Sequence, residues 1–435
     1  DKAGEARLFE IVDHLDAGRE LIVDAAEVLR LARLNFAAGQ RALSANAFQA
    51  AQAYFDIAVA CLPEHAWKDH YALTLDLFRK RAQVRYLNAE YDASMADITV
   101  VRENARSALE KAEIFPLLTT ELTMLGRNEE AVQAAADALA LLGINVPFDA
   151  LHQAVEDEIV PINAALSKRS IASLADLPEM TEPVYQVAMK ILMPAHTAAY
   201  FGGKRELYGW FLAKMVNISL RYGCAPESPK GYASFGSILC SDYGEYHKGY
   251  EFARLAIHLA ERYHDLGLKC RIVLIMVAFV NHWSRHVRES EQYEDPGIQA
   301  GIEAGEFQFV SYLLMWGKVI NRFFRGSNLQ QQLAVADESL LFTRKVKSHL
   351  TTDSILGARA VISCLTGGTS GTASFDLPDL TEADYLAQCE HHNSRSSLAF
   401  YHTIKAQALY LHGHFVEARQ SNEIASDLAD DIKSY

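Results

Sequence analysis

The sequence predicts an all-α fold, a tetratricopeptide-like α–α superhelix that forms a solenoid of about ten helical hairpins. Two observations lead to this prediction. Small and aromatic residues recur about every 40 residues, and patterns typical of strands are nearly absent. A tetratricopeptide unit pairs two antiparallel helices in roughly 34 residues, with small side chains where the helices cross. One hairpin alone leaves an apolar face bare, so each pair needs stacked neighbours.

The N-terminal part of the chain carries a clear copy of this pattern. Gly39 is the small residue of the first helix of the copy, and Ala51 and Ala58 are the small residues of its second helix. Phe55 is expected to fill the wedge between the two helices. Pro63 ends the unit, because proline cannot continue a helix.

Other copies follow at similar spacing, and the stretches between them are predicted to be eroded hairpins. The C-terminal copy has its small, turn and aromatic positions at Ala406, Gly413, Phe415, Ala418 and Ala425. Across the chain, we predict the turns inside the hairpins at Asn46, Ala89, Gly126, Gly244 and Gly413.

The charge balance limits the classes of partner. A formal net charge of -14 argues against a nucleic-acid surface, which needs clustered Lys and Arg to replace phosphate counterions. The best basic cluster, Arg79, Lys80 and Arg81 with Arg85, lies in an amphipathic helix and is predicted to be its solvated face. We therefore expect no nucleic-acid partner.

Cysteine use and hydropathy favour a cytoplasmic protein. The six cysteines are scattered without a Cys-x-x-Cys pair, as expected for reduced, packed thiols rather than disulfides or zinc ligands. The most apolar run, Ile272 to Val280, is too short to cross a bilayer, so no membrane segment is expected. The chain begins at Asp1 and stops at Tyr435 just after a helical pattern, which is typical of a piece of a longer protein.

Patterns of catalytic residues are not found. The glycine-rich stretch from Gly367 to Gly371 lacks the Gly-Lys-Ser/Thr ending and the preceding strand of a phosphate-binding loop, so a plain exposed loop is predicted. The spacing of Ser, His, Cys and Asp residues assembles no nucleophile with its base. We therefore predict that the chain is not an enzyme and holds no cofactor.

A polar and aromatic cluster is the best candidate for a ligand or domain contact. His282 and His286 are four residues apart and would share a helix face, the spacing of a two-histidine metal site, but no third ligand can be named. We expect no metal there. An aromatic wall with a few convergent polar groups suits a cavity, whereas the simpler alternative is a packing contact between repeats. The candidate ligand-binding residues are His282, Trp283, Arg285 and Arg288.

Adjacent aromatic residues occur in three further places, at Tyr200–Phe201, Phe323–Phe324 and Phe400–Tyr401. Aromatic rings of this kind stack on bases in proteins that bind single-stranded nucleic acids. In an array of helices, however, large rings more often fill the wedges between helices. We predict that these residues are core wedges.

Several segments match one protein family in order and approximate spacing: Leu177–Met180, Met215–Gly223, Tyr232–Gly236, Gly249–Phe252 and the pair His282–Trp283. They resemble the helical region of large bacterial multidomain signalling proteins. In that family a predicted AAA-type ATPase is followed by a tetratricopeptide-like region of this kind, and then by a GAF sensor and a histidine kinase or another output domain. The resemblance covers nearly the whole chain and carries no catalytic motif.

The resemblance implies a division of the chain and a role. Residues 1–30 would be the link at the end of the ATPase module, 31–160 the N-terminal repeats, and 161–435 degenerate repeats that continue the superhelix. The region would act as a non-catalytic interaction and signal-relay module, with a protein partner or neighbouring domains of the same chain in its groove. A peptide could occupy the same groove. The alternative is a regulatory domain that binds a small-molecule inducer within the superhelix.

Overall fold

The computed structural model describes residues 2–428, with side chains from residue 7 onward. In this part of the chain, strand pairing is limited to isolated bridges between Glu179 and Cys224 and between Leu377 and Leu380. All other regular elements there are helices. The predicted fold class, an all-α array of tetratricopeptide-like hairpins, is confirmed.

Most of the helices follow one another through short connections. The first are α1 (Lys2–Ala17), α2 (Ala25–Ser44), α3 (Phe48–Ala60), α4 (Ala66–Asp69), α5 (Tyr71–Leu87), α6 (Tyr91–Asn104), α7 (Ala108–Ala112), α8 (Phe115–Met124), α9 (Asn128–Leu141), α10 (Leu151–Leu166), α11 (Pro183–Phe201) and α12 (Arg205–Tyr222). The others are α13 (Ser228–Ser241), α14 (Tyr246–Arg262), α15 (Leu266–Ile275), α16 (Asn281–Ser284), α17 (Glu291–Ala304), α18 (Phe307–Leu313), α19 (Arg322–Phe324), α20 (Leu329–Lys345), α21 (His349–Leu365), α22 (Glu382–His391), α23 (Arg395–Leu411) and α24 (Phe415–Asp427).

Shorter elements join some of these helices. The 3-10 turns are Arg19–Leu21, Phe148–Ala150, Ile171–Asp176 and Val287–Ser290, and the π-helical segments are Met276–Val280 and Leu314–Asn321. The chain forms two compact units, the first made of Asp1–Val160 with Met180–Lys214 and the second of Pro161–Glu179 with Met215–Tyr435.

In the first unit, the hairpin of α2 and α3 illustrates the predicted packing. The Asp24 carboxylate caps α2 by accepting hydrogen bonds from the backbone N–H groups of its first turn. Gly39 lies directly against the ring of Phe55, since a Cβ at this glycine would be 2.5 Å from a ring carbon. Ala51, Phe55 and Ala58 are fully buried. The small and aromatic residues predicted for this repeat are confirmed.

The turns inside the hairpins adopt the left-handed conformation. The five predicted turn residues have positive φ angles: 58° at Asn46, 62° at Ala89, 72° at Gly126, 65° at Gly244 and 84° at Gly413. A residue in this conformation ends the first helix and reverses the chain so that the second helix packs beside it. The predicted turns are therefore confirmed.

In the second unit, α13 and α14 approach each other through two glycines. A Cβ at Gly236 would be 2.6 Å from the carbonyl oxygen of Gly249, and a Cβ at Gly249 would be 2.5 Å from that of Gly236. Beside this crossing, Phe235 meets Phe252 edge to face, with ring centroids 5.4 Å apart. Glycine at both positions lets the backbones touch while the aromatic rings fill the core.

Two neighbouring helical runs of the second unit contain π segments, one between α15 and α16 and the other between α18 and α19. A π turn leaves backbone carbonyls without their usual helical partners. Amide side chains supply the missing bonds here. The Asn321 amide donates to the Val277 carbonyl at 3.1 Å, and the Gln332 amide donates to the Val319 carbonyl at 2.9 Å.

The basic cluster on α5 differs from the prediction. Arg81 and Arg85 do not form a solvated face, because both guanidinium groups are turned into an ion-pair network with Asp56 of α3 and Asp97 of α6. The Asp97 side chain is only 3% exposed, and that of Arg81 is 12% exposed. The acids that neutralise these arginines lie on other helices, so the charge pattern of α5 alone misled the prediction.

The aromatic pairs are divided between core and surface. Tyr401 is buried, as predicted. The prediction of core wedges is wrong for Phe201, which is 65% exposed, and for Tyr200 and Phe324, which are also exposed. Phe201 and Phe324 are the last residues of α11 and α19, and Tyr200 directly precedes Phe201.

Within the described residues, one helical run, Leu266–Ser284, is long and apolar enough to cross a bilayer by length and composition. It exceeds the apolar run considered in the sequence because α15, a π segment and α16 are continuous. Most of this stretch is buried inside the protein. One helix of this kind is weak evidence for a membrane span, since the core helices of folded proteins have the same character.

Candidate functional site

The predicted two-histidine face at residues 282 and 286 is not formed. Helix α16 ends at Ser284, and Arg285 is extended, with φ -135° and ψ 156°. His286 lies beyond this break, where its Nδ1 accepts a hydrogen bond from the backbone N–H of Arg288 at 3.1 Å. The break therefore moves His286 off the helix face of His282. The spacing of four residues indicated a shared face only if the helix continued.

Three of the four candidate ligand-binding residues belong to a packing contact with α14. Trp283 stacks flat on Tyr246, with ring centroids 5.4 Å apart and planes at 3°. The guanidinium of Arg285 lies 5.1 Å from the ring centroid of Tyr250. His282 lies beside Trp283, with ring centroids 5.3 Å apart. Desolvation lowers the pKa of the His282 imidazole. These contacts have the geometry of packing between repeats, which is the simpler of the two interpretations of the cluster, the other being a ligand cavity.

The fourth candidate, Arg288, lies elsewhere. It lines an open cleft of about 360 Å³ together with His286, Glu289 and Arg325. Arg325 is held in place, because its guanidinium pairs with Glu291 and its Nε donates to Ser327 at 2.8 Å. The Arg288 guanidinium, in contrast, has no ion pair or hydrogen bond among the described residues. The structure thus separates Arg288 from the other candidates and places it in a cleft.

The walls of this cleft come from two neighbouring helical runs. One wall follows the end of α16, and the other contains Arg325 just after the end of α19. Both runs contain a π segment upstream, and the hydrogen bond from the Asn321 amide to the Val277 carbonyl ties these segments together. The cleft is therefore located where two successive repeats meet within the second unit.

Sequence reasoning missed a buried carboxylate close to this region. Glu294 of α17 is fully buried, and its Oε1 accepts a hydrogen bond from Ser290 Oγ at 3.1 Å. The Lys318 ammonium lies 3.4 Å from the other carboxylate oxygen. Gly317 makes room, since a Cβ there would be 2.9 Å from the Glu294 carboxyl carbon. No sequence signal marks this pair, because its members come from different helices.

A second buried carboxylate organises the C-terminal repeats. Asp353 of α21 is fully buried and accepts hydrogen bonds from Gln388 at 2.7 Å and Ser394 at 2.7 Å. The Nδ1 of His392 lies 2.8 Å from the same carboxylate. These donors flank the turn before α23, so the cluster fixes α21, α22 and α23 to one another. Its geometry is that of a structural network, in which each acceptor oxygen is satisfied.

The glycine-rich loop after α21 is partly anchored. Phe375 is buried and meets Tyr401 edge to face, with centroids 6.2 Å apart. Thr372 Oγ1 lies 2.9 Å from His414 Nε2, which ties the loop to the last hairpin. Gly367 and the residues next to it are open to solvent. As predicted, this segment is a loop, and its end is packed rather than free.

One further ionisable group, Lys230 of α13, was not singled out by the sequence. Burial and the nearby Arg271 guanidinium lower the pKa of Lys230 to about 7.

The six cysteines are all free and buried, as predicted. Among the residues with a described position, no group of three or more His, Cys, Asp or Glu side chains could hold a metal ion.

The first unit exposes an apolar surface at two successive hairpin turns, which we name the turn patch: Met124, Leu125, Tyr200 and Phe201. The two turns touch. A Cβ at Gly202 would be 3.3 Å from Asn128 Cβ, and the Lys204 ammonium lies 3.3 Å from the Glu129 carboxylate. Large apolar side chains that cluster on a surface mark contact sites for other molecules.

No protein-family model matches the chain. The hybrid signal transduction histidine kinase G of Dictyostelium discoideum is 22% identical over 352 residues, which are 74% of this chain and 10% of that protein. The chain therefore spans a small part of the length of this relative. It is similar to a segment of a signalling protein.

A solved structure offers a second comparison. It is the Signal Transduction ATPase with Numerous Domains (STAND) protein with a tetratricopeptide repeat sensor from Pyrococcus horikoshii. The alignment covers 84% of this chain and 52% of that chain, at 12% sequence identity and with a TM-score of 0.43.

Proposed function

We propose that the chain is a non-catalytic interaction and signal-relay module that docks a protein partner or neighbouring domains of the same polypeptide. The observation that carries this proposal is the turn patch. Met124 is 66% exposed and Phe201 is 65% exposed, and their two turns are in contact. Stacked hairpins support a relay role, because small rotations at each interface add up along the array.

The setting of this module is part of the proposal. Similarity to a segment of a histidine kinase supports a place in a larger signalling protein. We propose, in line with the family resemblance, that the polypeptide joins an ATPase to a sensor kinase of a bacterial two-component system in the cytoplasm. Residues 1–30 would then link to the ATPase, 31–160 would be the N-terminal repeats, and 161–435 would be the degenerate ones. No nucleic acid or membrane takes part.

Crosslinking with purified neighbouring segments tests the docking role. We expect the chain to capture the ATPase or sensor segment, and the Met124→Ser/Phe201→Ser variant to lose most of this capture. The matched control is Leu341→Ser, which removes an exposed leucine outside the turn patch. Equal capture by the patch variant and the control, or no capture of either segment by the unaltered chain, would overturn the proposal.

A second candidate function is regulation by a small-molecule effector. The cleft lined by Arg288 and Arg325 favours it, because its volume of about 360 Å³ lies within the range of ligand sites. A thermal-shift screen of metabolites tests this function. We expect at least one compound to raise the melting temperature, and an Arg288→Gln variant to lose that response. A screen in which every compound leaves the melting temperature unchanged removes this candidate.

A further inference from the structure

The basic side chains of the cleft differ in how they are neutralised. The Arg325 guanidinium pairs with Glu291, which keeps this side chain in one position. The Arg288 guanidinium has no acidic partner among the described residues, although Glu289 lines the same cleft. The cleft therefore holds one guanidinium without an acidic partner in the described part of the protein, that of Arg288, in a chain whose formal net charge is -14.

The geometry suits an anionic group that reaches both arginines. Arginine presents a planar fork of N–H donors that matches two oxygens of a carboxylate or a phosphate. Arg288 and Arg325 line one cavity of about 360 Å³, large enough for a small organic anion. An anion between them would bond to two successive helical runs at once, because each arginine follows the end of a different run.

We propose that this cleft is an anion subsite, in which a carboxylate or phosphate group of an effector bridges Arg288 and Arg325. The proposal rests on the second candidate function and names the chemistry of its ligand. Bridging would stabilise one arrangement of the two repeats, because the ligand adds a contact that exists only when both walls are in place. Two carboxylates oppose the anion and weaken its binding: Glu289, which lines the cleft, and Glu291, which pairs with Arg325.

A basic residue beyond a helix end has another established role, which is to offset the negative end of the helix dipole. Arg325 follows α19 and fits that role without any ligand. The two explanations predict different results. An arginine that acts only on the dipole changes the stability of the free protein, whereas an anion site changes the affinity for added anions.

Isothermal titration calorimetry on the whole chain tests the proposal, with inorganic phosphate and malonate as the two probes at constant ionic strength. We expect saturable binding of at least one probe, and the preferred probe distinguishes a phosphate from a carboxylate effector. Loss of a charge-assisted bond in Arg288→Gln should weaken binding about tenfold or more. Glu289→Gln should strengthen it, since the variant removes a like charge. The control Arg254→Gln, at an exposed pair with Glu251, should bind as the unaltered chain does.

Two outcomes would overturn the anion subsite. One is the absence of saturable heat with both probes, and the other is equal affinity in Arg288→Gln, Glu289→Gln and the control. Neither outcome decides the second candidate function. A neutral metabolite that raises the melting temperature in the thermal-shift screen, with the same response in Arg288→Gln, would leave a small-molecule site in place elsewhere in the chain.

Discussion

Arg81 of α5 donates two parallel hydrogen bonds to Asp97 of α6, from Nε to Oδ2 at 2.9 Å and from Nη2 to Oδ1 at 2.6 Å. Arg85, one helical turn further on, donates to the same Asp97 carboxylate at 3.0 Å. Both arginines also reach Asp56 on the neighbouring α3. These two arginines and two aspartates therefore link helices α3, α5 and α6 of the first unit.

Asp97→Ala should destabilise the protein strongly. The substitution leaves two arginines in a mostly buried position with only Asp56 to neutralise them, and removal of one member of a buried pair costs about 3 kcal/mol or more. Urea unfolding followed by circular dichroism measures the change.

Asp56→Ala is the matched control within this network, since the Asp56 side chain is 41% exposed and water can replace it. This substitution should lower the free energy of unfolding by less than about 1 kcal/mol, as for an exposed ion pair. If the two substitutions cost the same, Asp97 has no special place in the network.

Gly39→Ala should also destabilise the protein. The new Cβ would be 2.5 Å from the Phe55 ring, and this ring is fully buried with nowhere to move. Overpacking of this kind costs about 1–3 kcal/mol. Thermal unfolding of Gly39→Ala and of the double variant Gly39→Ala/Phe55→Leu measures it, and the smaller leucine should restore part of the loss. Gly371→Ala is the control, because no atom lies within 4 Å of a Cβ there.

The repeat fold could be predicted from the sequence because its determinants are local. A turn inside a hairpin needs a residue that tolerates a left-handed φ, and Gly126, Gly244 and Gly413 provide it directly in the sequence. Even Ala89 was located correctly, at a φ of 62°, because its distance from the other turns follows the repeat. Small residues at helix crossings are equally visible, as Gly39 shows.

The candidate site was predicted only in part, because it depends on how separate helices meet. The spacing of His282 and His286 indicated one face, but α16 ends between them. The π segments upstream cannot be recognised from the spacing of apolar residues, because one added residue shifts this spacing by less than one helical turn. Arg288 and Arg325 are 37 positions apart in the numbering, and only the packed structure brings them to one cleft.

Stability should fall as the pH drops through the range in which free histidine titrates. Burial is the largest cause that lowers the pKa of His402 below its ordinary value of 6.5, and the nearby Lys405 ammonium adds to it. Below pH 6.5 the unfolded chain binds a proton that the folded protein excludes, so stability is lost from pH 6.5 down towards the folded pKa.

His402→Gln tests the origin of this pH dependence. The glutamine amide can still reach the hydroxyl of Ser421, which lies 3.1 Å from His402 Nδ1, but it does not titrate. Melting temperatures between about pH 7.5 and pH 5.5 should fall less steeply in the variant than in the unaltered chain. His282 has a pKa lowered in the same direction, so the slope should fall further when both histidines are replaced. A slope unchanged in His402→Gln would contradict the assignment.

Lys230→Met should stabilise the protein near neutral pH. Burial and the Arg271 guanidinium lower the pKa of Lys230 to about 7, so the folded protein loses a proton that the unfolded chain keeps up to its ordinary pKa of 10.5. Burial of the charged ammonium costs folding free energy, and this cost is fully present below pH 7. The free energy of unfolding should rise between pH 7 and pH 10.5, because the folded protein then holds Lys230 in its neutral form.

Methionine has a similar length and carries no charge, so Lys230→Met should gain about 1 kcal/mol at pH 7 and should lack the rise at higher pH. Urea unfolding at several pH values measures both effects. Lys269→Met serves as the control, because the Lys269 ammonium pairs with Glu261 at 2.7 Å and its replacement should not stabilise the protein. A loss of stability in Lys230→Met would instead show that the charged form of Lys230 is stabilised by its surroundings at pH 7.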